Sequence, residues 1–206
     1  MIIDEVRRLL GEAELTLDQR AEEKLGAHAE LIREWNVRVS LVSQGDLERL
    51  VENHIVDSLS LAPHVQKACG ESGLLLDVGS GAGFPGIPLK ILMPDLPVCL
   101  VERSAKKSEF LREAVKCLGL EDAEVRFGEF PLEAGDIRPS AITGRAVEKA
   151  EKFRKAVYRY LRPGCTFLCQ SGDPNDEVSS MFHVEHIVDA WKEQGYRRGN
   201  LWLVRR

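Results

Sequence analysis

The ten residues LLLDVGSGAG, at positions 74–83, are the most informative part of this chain. They begin with an apolar run that carries one acid near its end, a pattern typical of a strand covered on both faces in a parallel sheet. Three alternating glycines follow, which allow the backbone to turn sharply and to approach a ligand closely. Pro85 and Pro88 come next, and because proline is tolerated only in the first turn of a helix, we predict a helix over 85–92.

A loop of this kind serves two classes of nucleoside cofactor, and the residues around it favour one of them. Residues 81–86 match the dinucleotide pattern G-x-G-x-x-G. Asp77 disfavours a dinucleotide, because it would direct a negative charge at a pyrophosphate but suits a cationic ligand. If the dinucleotide pattern starts directly after the strand, at Gly79, then Phe84 occupies the place of its third glycine. We therefore expect S-adenosylmethionine, which carries a sulfonium and an amino-acid head, and keep the dinucleotide as the alternative.

A second strand is predicted over 97–102, and it ends in Glu102. In a doubly wound sheet an acid at this position lies beside the nucleoside. Its carboxylate can accept hydrogen bonds from both ribose hydroxyls, and the competing interpretation is a solvated glutamate at a strand end. An amphipathic helix over 104–118 follows, so the chain repeats strand and helix.

The rest of the core continues this alternation, which is typical of a parallel α/β sheet. We predict strands over 123–127, 140–147 and 165–170, a helix over 149–161, and a final antiparallel hairpin formed by 183–188 and 201–205. The predicted fold class is α/β, a Rossmann-like class I S-adenosylmethionine-dependent methyltransferase. It has a mostly parallel sheet, an antiparallel C-terminal strand and an N-terminal helical extension.

The first 70 residues differ from the rest in having apolar side chains three and four positions apart. This spacing predicts three helices, over 2–10, 18–37 and 46–64. Thr16 and Asp18 are candidate caps of the second helix, and Asp46 of the third. We expect an N-terminal helical subdomain over 1–70, packed on a methyltransferase core over 71–206.

Composition and hydropathy indicate a cytoplasmic protein. No run is long enough to span a bilayer, and the N-terminus has no secretory signal. The five cysteines never form C-x-x-C and lie mostly in apolar runs, which predicts reduced core thiols. We expect no metal site, and interpret His183 and His186 as residues of a strand.

The charge balance does not by itself indicate RNA binding, since 28 basic and 33 acidic residues give a net charge of −5. The basic residues gather in three places: Arg103, Lys106, Lys107 and Arg112; Arg154, Lys155, Arg159 and Arg162; Arg197, Arg198, Arg205 and Arg206. Each group alone is typical of a solvated face. Together they could line the carboxyl edge of the sheet and attract a phosphate backbone.

Four segments resemble the bacterial RsmG (GidB) family of methyltransferases, and the resemblance covers nearly the whole chain. They are HIVDSL at 54–59, DVGSGAGFPGIPL at 77–89, KKSEFL at 106–111 and GRAV at 144–147. The G-F-P-G-I-P portion is far more specific than a bare glycine pattern.

The resemblance implies methylation of N7 of a guanosine in 16S ribosomal RNA near the decoding centre. The implied cofactor is S-adenosylmethionine, and the implied partner is 16S RNA or the small ribosomal subunit. Gly79 and Phe84 would line the cofactor pocket, Glu102 would hold the ribose, and Arg145 would lie at the mouth of the active site. We further expect a monomer, with no membrane partner and no metal.

Three segments depart from the usual sequence of this family. GEFP at 128–131 stands where an Arg-Ala-Glu type of sequence is usual beside the adenine, so Glu129 or the backbone around Phe130 is expected there. Gln170 lies where many relatives have a Lys-Gly pair on the fifth strand. Ser40 and Ser43 lie in a segment that replaces an Asn-Leu-Thr sequence.

The implied chemistry needs few catalytic groups. N7 of guanine has a free lone pair and loses no proton before it attacks, so no general base is required. Alignment of the nucleophile with the methyl group can supply on the order of 7 to 11 kcal/mol. Arg145 is the predicted catalytic residue, which stabilises a phosphate or the O6 edge of the guanine. A salt bridge from Arg145 to Asp77 or Glu102 is the alternative.

The candidate site has a cofactor part and a substrate part. The candidate cofactor-binding residues are Asp77, Gly79, Gly81, Gly83, Phe84, Glu102, Glu129, Phe130 and Arg145. Lys106 and Lys107 are candidate substrate-binding residues, as are His54 and Asp57, which lie three positions apart on one helical face. For the last pair an interhelical or capping hydrogen bond is the alternative. Two other functions stay open: methylation of a small molecule or protein, and cofactor-dependent regulation without catalysis.

Overall fold

The computed structural model describes residues 16–135, 137–145, 151–170 and 182–206, together with residues 4, 5, 7, 8 and 11. Within these residues the strands form a seven-stranded sheet. The strands are β1 (Leu75–Val78), β2 (Val98–Glu102), β3 (Ala123–Phe127), β4 (Ala141–Thr143), β5 (Thr166–Cys169), β6 (His183–Ile187) and β7 (Leu201–Arg205).

The order of the strands across the sheet is β3-β2-β1-β4-β5-β7-β6. Strands β1 to β5 are parallel to one another, whereas β7 runs antiparallel to both β5 and β6. The predicted parallel sheet with an antiparallel hairpin at its edge is therefore confirmed. Because β2 and β3 lie on one side of β1 and β4 and β5 on the other, the loops after β1 and β4 diverge. They open a crevice at the carboxyl ends of the strands, where doubly wound sheets bind their ligands.

Helices cover both faces of this sheet. They are α1 (Gln19–Asn36), α2 (Gln44–Glu48), α3 (Asp57–Leu59), α4 (Ala62–Cys69), α5 (Gly86–Leu92), α6 (Ala105–Cys117), α7 (Glu151–Tyr160) and α8 (Ala190–Glu193). A π-helical turn (Val51–Val56) leads into α3, and a 3₁₀ turn (Leu132–Ala134) follows β3.

The two faces of the sheet have separate apolar cores, because successive side chains of a strand point to opposite faces. Leu75 of β1 belongs to the core that also holds Leu25 of α1 and Phe110 of α6. Leu76 belongs to the opposite core, with Val157 of α7. The N-terminal helices thus share a continuous core with one face of the sheet.

The segment 46–64 is mostly helical as predicted but is not one continuous α-helix, because the chain there forms α2, the π-helical turn, α3 and the start of α4. Pro63 lies in the first turn of α4, where a missing N–H is tolerated, and it disfavours the continuation of α3 into α4. Ser43 rather than Asp46 caps α2, since the Ser43 Oγ accepts the Asp46 N–H at 3.1 Å. Asp18 is confirmed as the cap of α1, where its carboxylate accepts a backbone N–H at 2.7 Å.

Other predictions about the chain hold in part. The fourth strand is shorter than the predicted segment 140–147, whose last two residues lie outside the described ones, as does most of the helix predicted over 2–10. Four of the five cysteines are buried free thiols, but Cys117 is exposed at the end of α6. No helix within the described residues is both long and apolar enough to cross a membrane.

Candidate active site

A cavity of about 830 Å³ opens at the carboxyl ends of β1 to β4. Ligand pockets in proteins span roughly 300–1,000 Å³, so this one has room for a nucleoside cofactor. Its described lining residues are Leu41, Val42, Ser43, Asp46, His54, Val78, Gly79, Ser80, Gly81, Ala82, Phe84, Val101, Glu102, Arg103, Lys107, Gly128, Glu129, Phe130, Pro131, Leu132, Arg145, Phe153 and Ala156. The walls therefore come both from the loops after the strands and from the N-terminal helical region.

The loop after β1 follows a path that requires glycine. Gly79, Gly81 and Gly83 have φ angles of 72°, 57° and 86°, which other residues rarely adopt. Gly83 also packs closely, because a Cβ atom there would lie 2.4 Å from the Cδ1 of Ile87 in α5. Gly79 and Gly81 line the cavity, and Gly83 faces α5 instead. Two of the three glycines therefore present bare backbone to a ligand.

Helix α1 supports this loop from behind. His28 is fully buried, and its Nε2 lies 2.9 Å from the carbonyl oxygen of Ala82. The carbonyl can only accept, so Nε2 carries the proton of the ring. Burial lowers the pKa of His28 to about 4, which leaves the ring neutral at pH 7. The ring also packs against Phe84, with a centroid distance of 5.2 Å, and so joins α1 to the cavity wall.

Glu102, at the end of β2, has the geometry expected of a ribose ligand. It lines the cavity and is only 6% exposed. Its two carboxylate oxygens accept the backbone N–H groups of Gly81, at 2.9 Å, and Ser104, at 2.8 Å. These bonds fix the orientation of the carboxylate. Because a carboxylate has about four acceptor positions, both oxygens keep capacity for a pair of hydroxyl groups.

Glu129 and Phe130, after β3, line another wall of the cavity. The Phe130 ring packs against the rings of Tyr160, at a centroid distance of 5.2 Å, and Phe153, at 6.0 Å. This aromatic packing makes an apolar wall of the kind that suits a flat base such as adenine. The wall lies where the sequence places the adenine side of the pocket.

Arg145 follows β4 and contacts the N-terminal helical region. Its Nη1 donates to the carbonyl oxygen of Asn53 and to the Oδ2 of Asp57, both at 3.2 Å. Its Nη2 donates to the Nδ1 of His54. The Cζ atom lies 5.0 Å from the centroid of the Phe84 ring, close enough for a cation–π interaction. The guanidinium is therefore held from the helical side while its face lies on the cavity wall.

His54 is neutral in this arrangement. An arginine side chain has donors only, so the Nδ1 of His54 must be an acceptor. Burial, together with the positive charge of Arg145, lowers the pKa of His54 to about 3. The His54 ring stacks on Phe84 at a centroid distance of 5.0 Å and an angle of 25°. His54, Phe84 and Arg145 thus form one layered wall of the cavity.

Comparison with known proteins identifies the family of this chain. The family model described as rRNA small subunit methyltransferase G (GidB) matches residues 21–194. Proteins named Ribosomal RNA small subunit methyltransferase G are 36% identical in Chloroflexus aggregans, 32% in Neisseria meningitidis and 36% in Roseiflexus castenholzii. These matches cover 75%, 81% and 85% of this chain and 66%, 79% and 75% of the relatives. The chain belongs to the GidB family.

Solved structures show that this GidB chain has the fold of class I methyltransferases. An O-methyltransferase from Bacillus cereus, in complex with SAH, superimposes with a TM-score of 0.61 at 17% identity, over 100% of both chains. The O-methyltransferase TomG from Streptomyces achromogenes, in complex with SAM, has a TM-score of 0.57 at 14% identity, over 92% of this chain and 90% of that one. At these identities the likeness shows the fold alone.

Asp77 of the GidB glycine motif lies beneath the loop and not at the cavity. It is fully buried and is not among the described residues that line the cavity. Its carboxylate accepts the Thr143 Oγ1–H at 3.0 Å and the Gly86 N–H at 3.3 Å. Burial raises the pKa of Asp77 to about 7. The predicted contact of Asp77 with the cofactor is therefore corrected, since this acid joins β1 to β4 and to the start of α5.

Arg145 forms an ion pair with Asp57 in the GidB site, at 3.2 Å, whereas the alternative interpretation paired it with Asp77 or Glu102. Asp57 is 2% exposed and accepts hydrogen bonds from its neighbours, so it is not placed to bind a substrate as predicted. Of the two predicted lysines, Lys107 is among the described lining residues, whereas Lys106 is exposed on α6 and is not among them.

The predicted basic rim is only partly present. Arg103 and Lys107 line the cavity. The side chain of Arg197, by contrast, is fully buried in an ion pair. Arg205 pairs in register with Thr166, where β5 begins, so the last arginines lie at the amino edge of the sheet and not at the carboxyl edge. The wrong expectation arose because an antiparallel final strand carries its own C-terminus away from the site.

Several lining residues have no signal in the sequence that marks them as part of a GidB site. Asp46 reaches the cavity from α2, and Phe153 reaches it from α7. Their positions depend on how distant helices pack, which no local pattern reports. Arg103 is different, because it directly follows Glu102 and could have been assigned to the cavity from that position.

Proposed function

We propose that this chain transfers a methyl group from S-adenosylmethionine to N7 of a guanine in 16S ribosomal RNA, near the decoding centre. The observation that carries the proposal is that one cavity joins the glycine loop and Glu102 to the wall formed by His54, Phe84 and Arg145. Relatives at 32–36% identity that are named as small-subunit ribosomal RNA methyltransferases support the choice of substrate.

The residues of the cofactor side fit S-adenosylmethionine, which we prefer to a dinucleotide. Gly79 and Gly81 present backbone to the amino-acid head, and Glu102 has acceptor capacity for the ribose hydroxyls. The wall around Phe130 suits the adenine. When bound, this cofactor supplies a methyl group activated by a sulfonium. Phe84 and Phe130 present apolar surface to the cavity and so reduce the access of water to it.

The substrate side needs to orient a base and not to remove a proton. N7 of guanine attacks through its lone pair, and His54, with a pKa of about 3, is no general base near neutral pH. The hydrogen bonds of Arg145 to other described residues use three of its five N–H donors. The remaining donors can bind the O6 of guanine or a phosphate next to it.

The guanine must be in a loop or flipped outward, because side chains do not read a deep A-form major groove. We place the reaction in the cytoplasm, with a single copy of the chain as the acting unit.

The test is methyl transfer from labelled S-adenosylmethionine to small-subunit RNA and to intact small subunits that lack the modification. Nuclease digestion and nucleoside mass spectrometry then identify the product. We expect 7-methylguanosine at a single site. Transfer to another atom, or to a small molecule or protein, would overturn the proposal. Tight cofactor binding without transfer to any RNA would instead support a regulatory role.

A further inference from the structure

Asp57 is a buried acid that touches the active-site wall without reaching the cavity. It begins α3, directly after the π-helical turn, and is only 2% exposed. Its Oδ2 accepts the Arg145 Nη1–H at 3.2 Å and the Gln170 Nε2–H at 3.4 Å. Its Oδ1 accepts the backbone N–H of Arg198 at 2.6 Å. Asp57 therefore joins the ends of β4 and β5 and the segment before β7 at one carboxylate.

Arg145 is held as a fork in which each terminal nitrogen has its own partner. Nη1 contacts Asp57 and the carbonyl of Asn53, and Nη2 contacts the Nδ1 of His54. A planar guanidinium bound at both nitrogens cannot rotate about its long axis without breaking one of these hydrogen bonds. The fork thereby fixes the face of Arg145 over the Phe84 ring, at 5.0 Å.

Charge makes Asp57 different from the other partners of Arg145. Asn53 and His54 contribute neutral acceptors, whereas Asp57 carries the opposing charge, and the side chain of Arg145 is only 20% exposed. A buried cation that loses its counter-charge is costly. We expect the guanidinium to relieve that cost by turning toward water, through the open cavity.

We propose that Asp57 is the positioning residue for Arg145, and that it acts on methyl transfer only through the orientation of that guanidinium. The inference rests on the proposed function, in which Arg145 contacts the substrate. It replaces the expectation that Asp57 itself binds RNA.

A double-mutant cycle on the full-length chain tests the inference. Single-turnover methyl transfer to small subunits is measured for wild type, Asp57→Asn, Arg145→Ala and the double variant, together with the affinity for S-adenosylmethionine. Each single change is expected to slow the rate constant on the order of 10- to 100-fold, because misplaced groups cost about that much. The cofactor affinity should stay within about 3-fold. In the Arg145→Ala background, Asp57→Asn should cost less than about 3-fold more. If the two losses multiply instead, Asp57 does not act through Arg145.

Glu52→Gln is the matched control, since Glu52 is an acid in the π-helical turn just before Asp57 and its partner is the surface residue Arg49. It should leave the rate and the cycle unchanged. Arg145→Lys covers the case in which Asp57→Asn does not fold, because lysine keeps the charge pair but cannot form the fork. We expect this variant to fold and to lose the rate by about 10-fold or more. A rate near wild type would show that the charge alone suffices and would overturn the inference.

A readout without substrate separates this inference from the proposed function. In ¹⁵N spectra of the free protein, the side-chain N–H signals of Arg145 should be resolved and should exchange slowly with water. They should disappear in Asp57→Asn and persist in Glu52→Gln. This result would support the fork even if no RNA were methylated, whereas a signal unaffected by Asp57→Asn would overturn it.

Discussion

The carboxyl group of Asp77 has no access to water, because it lies where β1, β4 and α5 meet. Burial raises its pKa to about 7, because no solvent is available for the charged form. In the unfolded chain the same carboxyl ionises near pH 4. Between these two values the folded chain holds a proton that the unfolded chain has released. The contribution of Asp77 to stability is therefore complete below about pH 4 and is lost as the pH rises toward 7.

Replacing Asp77 by asparagine should remove this pH dependence. Asparagine keeps an oxygen that can accept from Thr143, but it does not titrate. Relative to Asp77→Asn, the free energy of unfolding of the wild type should fall between about pH 4 and pH 7, by up to about 1.4 kcal/mol per pH unit. Urea unfolding of both proteins across this range measures the difference. Parallel profiles would show that Asp77 titrates alike in the folded and unfolded chains.

Gly79 belongs to the loop that faces the cofactor side of the cavity. Gly79→Asp adds a side chain and a negative charge to a backbone that lines the cavity with a φ of 72°. We expect the affinity for S-adenosylmethionine, measured by calorimetry, to fall by more than about 100-fold. Gly119→Asp is the matched control, because Gly119 also has a positive φ, of 54°, and a Cβ atom there would enter open space. The control should lose about 1 kcal/mol of stability and keep its affinity. If Gly79→Asp and Gly119→Asp lost affinity equally, backbone strain alone would explain the effect at Gly79.

The sequence predicts well the helices and strands whose formation depends on their own residues. Helix α6 is predicted over 104–118 and spans Ala105–Cys117, and the predicted bounds of β3 and β7 are correct. Their patterns of apolar residues and their caps or turns are local. The segment 46–64 is different, because its division depends on Pro63 and on long-range contacts. The helical spacing of apolar residues is present in this segment, but hydrogen bonds to Arg145 and Arg198 hold the middle of the segment.

The contact of α1 with the glycine loop should affect the affinity for S-adenosylmethionine. His28→Phe keeps an aromatic ring in the core but removes the donor to the Ala82 carbonyl, which leaves that oxygen unpaired. We expect the affinity for S-adenosylmethionine to fall about 3- to 10-fold, the value of one hydrogen bond. His28→Gln, whose amide can replace the Nε2–H, should recover most of it. Calorimetric titration measures both, with thermal unfolding as the check on folding. If the His28→Phe protein were less stable but bound the cofactor with normal affinity, the role of His28 would be packing alone.

For the molecule as a whole, the cofactor half of the site is far more predictable than the other half. Gly79, Gly81 and Glu102 lie within one strand-loop-strand unit, so their sequence spacing reports their distance in space. The wall around Arg145 brings together side chains about 90 positions apart, as in its bond to His54. The resemblance to a family indicates that such residues belong to one site. It does not indicate that Asp57 is buried behind that site.

The distribution of charge over the molecule gives a prediction about RNA. Lys106→Ala combined with Lys107→Ala removes positive charge beside the cavity. It should weaken binding to small subunits about 3- to 10-fold and lower the slope of log affinity against log salt by about one for each phosphate that is no longer neutralised. Arg205→Ala combined with Arg206→Ala is the control, since this pair lies at the amino edge of the sheet. Binding measured from low to moderate salt should separate the two pairs. Equal effects would place the RNA elsewhere.

The place of β7 between β5 and β6 has a consequence for synthesis on the ribosome. Within the described residues, β6 joins the sheet through β7, although translation produces β6 first. A nascent chain that has reached only β6 therefore carries a strand without a neighbour, and its Asp57 lacks the N–H of Arg198. The glycine loop and Glu102 need no residue beyond Ser104 for their mutual hydrogen bonds. Vectorial synthesis thus supplies the hydrogen-bond partners of Glu102 early and the Arg198 partner of Asp57 late.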